Sequence, residues 1–322
     1  MIIVTGALGF IGSNMVRYLN GYGLTDILLV DSFGEDDRWK NLVGAKYEDF
    51  VDYTDNSFYS SINSETVVIH LGAISSTTER DCKKLWNQNV VFTQGLASVC
   101  ALAGARFIYA SSAATYGAAS ECIDDVTQLD SLVPLNPYAW SKNTFDIWAR
   151  DSGMLDRIVG IKPFNVYGPN EIHKNENASV TTKLFKMISE GNHTFKLFDN
   201  TDKGYKPGTE LRDHVYVKDI CSIIYWFMSN TKCGLYNAGT GKSETWNDLI
   251  SYVSTATGQK IETELIKMDA RFNSQYQFKT KASMKKLRDA GYDLPLTGLK
   301  EGIQSYWQSC WDKNSMKGYN NV

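Results

Sequence analysis

The opening stretch, Met1 to Gly12, constrains this chain more than any other part of it. The apolar run Met1-Ile2-Ile3-Val4 passes through Thr5 into Gly6-Ala7-Leu8-Gly9-Phe10-Ile11-Gly12. Phe10, Ile11, Met15, Val16 and Leu19 then recur at helical spacing. The pattern predicts a strand, a glycine turn and a helix. At such a junction, backbone N–H groups and the helix dipole can hold a pyrophosphate. Gly6 and Gly9 would let the backbone turn and approach the ligand, and Gly12 would let helix and strand pack closely. A GxxGxxG triplet alone also describes a tight turn, so the context decides.

That context is a series of apolar runs: Ile27 to Val30 closing at Asp31, Thr66 to Leu71, and Arg106 to Ala110, separated by stretches of helix length. Runs that are apolar without alternation suit strands buried on both faces of a parallel sheet. The expected fold class is α/β, a Rossmann-type doubly wound parallel sheet. After about residue 165 the texture becomes polar, as in Asn170 to Asn177 and Asn200 to Glu210. We therefore expect an NAD(P)-binding Rossmann domain over 1–165 and a smaller C-terminal, mainly substrate-binding domain over 166–322. Leu211 to Val217 and Gly234 to Ala238 read as strands that return to the first sheet, within a segment of about 211–242.

Composition removes several function classes. The 322 residues carry 33 Lys+Arg against 36 Asp+Glu, a net charge of −3, so there is no overall positive field to gather nucleic acid. No apolar run approaches membrane-spanning length, and the N-terminus has no basic leader region. The six cysteines lack CxxC spacing and the four histidines form no ligand cluster. The expectation is a cytoplasmic protein with reduced thiols, no metal site, no membrane and no nucleic acid as partners.

Asp31 stands where a carboxylate at the end of the second strand accepts hydrogen bonds from an adenosine ribose. It favours NAD, because it repels a 2′-phosphate. Arg38, a short loop away, can pair with that phosphate and so favours NADP, or it can be a solvated surface charge. Further along, Tyr138-Ala139-Trp140-Ser141-Lys142 puts Tyr138 and Lys142 four residues apart, on one face of a helix. A phenol is a poor base at its ordinary pKa near 10, and a neighbouring ammonium favours the phenolate. The run Phe107 to Ser112 ends a strand in hydroxyls, where the sheet edge presents ligand-binding groups, and Ser112 can share a substrate oxygen with Tyr138.

GxxGxxG, a strand-end serine and a later YxxxK together resemble the extended short-chain dehydrogenase/reductase superfamily, over essentially the whole chain. Further stretches are together similar to the ADP-glyceromanno-heptose 6-epimerase family. They are Ser75-Ser76-Thr77-Thr78-Glu79, Tyr109 to Gly117, Phe164-Asn165-Val166-Tyr167-Gly168-Pro169 with His173-Lys174, Asn237 to Gly241, and Tyr276-Gln277. The resemblance implies an isomerase that inverts C6 of an ADP-linked heptose, with NADP or, alternatively, NAD as cofactor. It further implies a homo-oligomer and a place in lipopolysaccharide inner-core precursor synthesis. The expected course is hydride transfer from C6, an aldehyde intermediate, rotation of the carbonyl, and hydride return to the opposite face.

By position, the resemblance implies that Tyr138 and Lys174 serve as the two acid/base groups and that Lys142 binds the ribose and lowers the Tyr138 pKa. Cofactor contacts are implied at Gly6, Gly9, Phe10, Ile11, Gly12, Asp31, Ser32, Arg38, Tyr53, Leu71, Gly72, Ala73, Ile74, Ser75, Asn89, Val166 and Lys174. Substrate contacts are implied at Ser75, Ser76, Thr77, Asn165, Phe198, Asp199, Asn200, Thr201, Arg212 and Tyr276. Arg212 is the natural diphosphate partner, and Phe198 and Tyr276 read equally as core aromatics.

Three departures bear on specificity: the stretch between Thr201 and Arg212 is longer than the family's usual connection, Glu176 replaces a small hydroxyl, and Lys183 stands where histidine is common. A 4-epimerase shares Ser112, Tyr138 and Lys142 and is the close rival. A 4,6-dehydratase is disfavoured because Ala113-Ala114 follows Ser112 where those enzymes carry acids. A non-catalytic NADP-binding module is the reading from another class.

Overall fold

The apolar runs pair as one sheet. The computed structural model describes residues 1–119, 121–201, 204–268, 276–312 and 317–319. Strands β1 (Ile2–Thr5), β2 (Ile27–Asp31), β3 (Asp49–Asp52), β4 (Val67–His70), β5 (Arg106–Ala110), β6 (Val159–Pro163) and β11 (Gly234–Ala238) form a seven-stranded sheet in the order β11-β6-β5-β4-β1-β2-β3. Every pairing is parallel. The order reverses at β1, so a crevice opens at the carboxyl ends of β1 and β4.

Alternate residues of these strands feed two cores, which is why the runs do not alternate in polarity. Val4, Leu29, Ile69, Ile108 and Ile161 meet Met15, Val16 and Leu19 of helix α1 (Phe10–Gly21) and Ile220, Ile223 and Phe227 of a helix at Val217–Met228. On the opposite face, Ile3, Val30, Val68, Phe107 and Tyr109 meet Leu96 and Cys100 of Phe92–Ala103 and Phe145 and Ala149 of Pro137–Asp151. The first of these two is α3, preceded by α2 (Cys82–Leu85) and a π-helical turn at Trp86–Val91; the second is α4. Inserted turns of this kind recur at functional sites.

A third core lies outside the sheet. It joins α5 (Val180–Ser189), α7 (Trp246–Thr257) and Leu299–Cys310 through Phe185, Leu249, Val253, Ile303, Tyr306 and Trp311. Strands β8 (Thr194–Asp199) and β13 (Glu262–Lys267) pair beside it.

The segment Leu211 to Val217 does not join the main sheet, contrary to expectation. It forms β9 (Leu211–Arg212) and β10 (His214–Tyr216), which pair with Glu244–Thr245 and with β7 (Asn165–Tyr167) in separate two-stranded sheets. The break falls at fully buried Asp213. Its carboxylate accepts from the backbone N–H groups of Thr240, Gly241 and Ala282, so it anchors loops instead of continuing a ladder. No helix among the described residues is long and apolar enough to cross a membrane.

Candidate active site

The cleft at the switch point has a volume of about 660 Å³ and runs from the glycine turn to α4. Gly6 takes a φ of +68°, open to glycine at little cost, and a Cβ there would lie 2.5 Å from the Gly72 nitrogen. A Cβ on Gly12 would lie 2.0 Å from the Gly6 carbonyl oxygen. The third glycine therefore admits the first turn itself, and α1 starts against it with its N–H groups facing the cleft. Such a cradle fits a dinucleotide pyrophosphate.

Asp31 is committed on both carboxylate oxygens. Oδ2 accepts the Leu8 N–H at 2.9 Å, and Oδ1 accepts the Ser32 N–H at 2.7 Å and Arg38 Nη1 at 2.9 Å. Arg38 Nη2 also reaches Ser32 Oγ at 3.1 Å. Arg38 is thus a built element of the cleft wall rather than a solvated charge. The opposing wall is Leu71 to Ser75, held by Asn89 in the π-helical turn: its side chain accepts the Ile74 N–H at 2.9 Å and donates to the Ile74 carbonyl and to Ser141 Oγ, each at 3.0 Å. Tyr53, Val166 and Lys174 line the same cleft. Lys174 Nζ lies 3.4 Å from Glu171 and 5.4 Å from the Phe10 ring centre.

At the far end, Asn136 caps α4 by accepting the Ala139 N–H at 2.8 Å, with Pro137 in the first turn. That start fixes the phase at which Tyr138 and Lys142 face the sheet. Both are buried, and both line the cleft with Ser112. Burial pushes the Tyr138 phenol up, against a hydrogen bond with Ser112 that pulls it down. Burial also pushes Lys142 down to about 8, and its ammonium donates to the Ala110 carbonyl at 2.8 Å. The arrangement can exchange a proton with a hydroxyl held at Ser112 and Tyr138.

A second cavity of about 230 Å³ joins Thr77, Asn136, Tyr276 and Gln277. Tyr276 stacks edge-on with Phe198, and the Arg212 guanidinium lies 5.1 Å from Tyr276 and 5.6 Å from Trp246. Asn165 stands at the start of β7, within reach of Thr280. Asp199 accepts both the N–H and the hydroxyl of Thr201, so these two close their own turn. Asn200 donates to Glu210. Within the long stretch before Arg212, Asp202 and Lys203 lie outside the described residues.

The sequence reading missed His173 and Phe92 as lining residues, along with Ser111. His173 stands in a quoted motif but carries no local sign of a neighbour: its ring meets Asn41, far off in the chain. Burial pushes it down to about 4.

Three comparisons bear on this geometry. Residues 2–239 match the model of the NAD dependent epimerase/dehydratase family. The chain is 42% identical to the ADP-L-glycero-D-manno-heptose-6-epimerase of Nitratidesulfovibrio vulgaris strain Hildenborough, over 95% of this chain and 96% of that relative. It superposes on the Helicobacter pylori ADP-L-glycero-D-manno-heptose-6-epimerase with a TM-score of 0.79 and 26% identity, covering 95% of each chain. It also shares the fold of the Bacillus cereus UDP-glucuronic acid 4-epimerase solved with UDP-glucuronic acid and NAD, at 21% identity, a TM-score of 0.76, and coverage of 95% and 98%.

Proposed function

The chain belongs to the NAD dependent epimerase/dehydratase family, and from that premise we propose that it interconverts ADP-D-glycero-D-manno-heptose and ADP-L-glycero-D-manno-heptose. The observation that carries this reading is the 42% identity to an enzyme of that name over 95% of this chain. The glycine turn, Asp31 and the Leu71 to Ser75 wall would hold a dinucleotide, which would supply the hydride acceptor and, once reduced, the donor. Ser112 and Tyr138 hold the C6 hydroxyl, and Tyr138 takes its proton as the hydride leaves. Heptose C6 is bonded to two carbons, so the oxidised sugar is a ketone and not the aldehyde expected above. Rotation about the C5–C6 bond presents the other face of the ketone. On that side Lys174 is assigned the proton, with Glu171 beside its ammonium.

Lys142 orients the ribose and favours the phenolate through its charge. Asn89 keeps Ile74 and Ser75 against the cofactor. Arg212, backed by two rings, faces the diphosphate, with Ser76, Thr77, Asn165, Phe198 to Thr201 and Tyr276 around the sugar nucleotide. Residues 1–165 with β11 serve the cofactor, and 166–322 mainly serve the substrate.

NADP is the cofactor this reading selects. Arg38 offsets the charge of Asp31, whose oxygens are already engaged, so the repulsion of a 2′-phosphate is reduced and a guanidinium is present to meet it. Exposed Trp86, Val91, Leu102 and Trp140, around a stretch without charged residues from Trp86 to Ala103, support the homo-oligomer.

The test is incubation of the purified protein with ADP-D-glycero-D-manno-heptose without added reductant. The C6 proton is followed by NMR against a Tyr138→Phe control. The L-glycero epimer should form in the unmodified protein alone. Unchanged substrate with cofactor bound would refute the reading and open a screen of other nucleotide sugars.

A further inference from the structure

We propose that Asp146 and Lys162 are a positioning pair that keeps the Lys142 ammonium directed at the cleft instead of at the carboxylate one turn behind it. The inference deepens the assignment of Tyr138 as the proton acceptor and of Lys142 as the charge that favours its phenolate, and rests on it.

Tyr138, Lys142 and Asp146 follow one another at four-residue spacing on a single face of α4. An unengaged carboxylate at that spacing is the natural capture partner for Lys142. Here it is fully engaged. Asp146 Oδ1 accepts the Tyr109 hydroxyl at 2.9 Å, and Oδ2 accepts the Ser111 hydroxyl at 2.6 Å and Lys162 Nζ at 3.1 Å. Both side chains of the ion pair are fully buried. Lys162 also donates to Thr115 Oγ1 at 2.6 Å, and Thr115 donates in turn to the Ser112 carbonyl at 2.8 Å. Lys142, released from Asp146, donates to Ala110. One network therefore reaches from the core to the backbone of Ser112.

A buried ion pair is by itself weak evidence for a role in stability. Strand β6 is otherwise apolar at this level, and exchanging a buried ion pair for hydrophobic groups is often neutral or stabilising. Its consequence is electrostatic. Removing Lys162 leaves Asp146 to compete for Lys142 and to oppose the phenolate, whereas removing Asp146 leaves an uncompensated cation near the phenol.

The remaining titratable groups around the pair do not obscure this. Tyr109 on β5 and Tyr116, whose ring lies 4.8 Å from Lys162 Nζ, are both held protonated by burial. His70 on β4 is held neutral. Asp124 and Lys286, which carry opposite charges, both feel Lys162 electrostatically.

The experiment follows Tyr138 itself. Protein carrying tyrosine labelled with carbon-13 at Cζ, saturated with NADP, is titrated by NMR, and the Tyr138 signal is assigned by its loss in Tyr138→Phe. Lys162→Met should raise the Tyr138 titration point by about one unit. Asp146→Asn should lower it by a similar amount, and the double variant should return it near the parent value. Opposite signs with mutual suppression are the electrostatic signature; a merely structural role moves neither or both together. Unchanged titration points in the folded single variants, or shifts of the same sign, would overturn the proposal. If Lys162→Met does not fold, Asp146→Asn decides by its downward shift or the lack of one. The signal needs no turnover, so an absent epimerase activity with the pattern intact counts against the proposed substrate alone.

Discussion

Replacing His70 by phenylalanine should destabilise the protein at neutral pH and lose that effect in acid. His70 is buried at the end of β4, between the rings of Phe92 and Phe107. Its Nδ1 accepts the Thr5 hydroxyl at 2.7 Å and its Nε2–H donates to Thr93 at 3.0 Å, because Thr93 already donates to the Asn89 carbonyl. The phenyl ring keeps the stacking but deprives two hydroxyls of a partner, a cost of about 2 kcal/mol at about pH 7.5. Burial, with Lys142 nearby, holds the native imidazole down at about 3, from an ordinary 6.5. Between those values the unfolded chain binds a proton that the native state refuses. The His70 contribution is therefore complete above about pH 6.5 and is lost as the pH falls. By about pH 5 the loss amounts to about 2 kcal/mol, so parent and variant should become nearly equal in stability.

Buried Asp124, Asp213 and Asp219, raised by desolvation, act with the opposite sign but are common to both proteins and cancel in the difference. Urea unfolding followed by tryptophan fluorescence at the two pH values gives that difference. An equal penalty at both would refute the reasoning.

Gly12→Ala should abolish dinucleotide retention and cost roughly 1–3 kcal/mol or more, since its methyl meets the Gly6 carbonyl; normal binding in a fluorescence titration would contradict the cradle. Arg38→Ala should weaken NADP by about tenfold or more relative to NAD in calorimetric titration, and an unchanged ratio would remove the 2′-phosphate assignment. Arg212→Ala should raise KM for the sugar nucleotide by about tenfold to a hundredfold while cofactor affinity stays constant; a parallel loss of both would point to damage to the fold.

The cofactor half of the molecule was legible because its signals are local. Three glycines, a strand-end aspartate and a four-residue Tyr–Lys spacing each state their geometry within one or two turns of chain. The short reach of Leu211 to Val217 was not legible: what stops it is Asp213 collecting N–H groups from Thr240 and Ala282, and no window around Asp213 contains them. The same holds for Asp146 and Lys162, which look like an exposed helix acid and an interrupted strand until β5 and β6 bring them together. Arg38 was legible as a candidate and ambiguous as a contact, since its acidic neighbours Glu35, Asp36 and Asp37 suit a solvated loop equally well.

The central claim is that C6 is inverted by hydride leaving and returning, with Tyr138 handling only the hydroxyl proton. The most direct measurement is to run the reaction to equilibrium in deuterium oxide and read C6 of both epimers by NMR and mass spectrometry. Inversion with the original hydrogen retained at C6 is the predicted result. Deuterium at C6 would mean that the carbon itself is deprotonated, and transient oxidation would then be the wrong chemistry for this site.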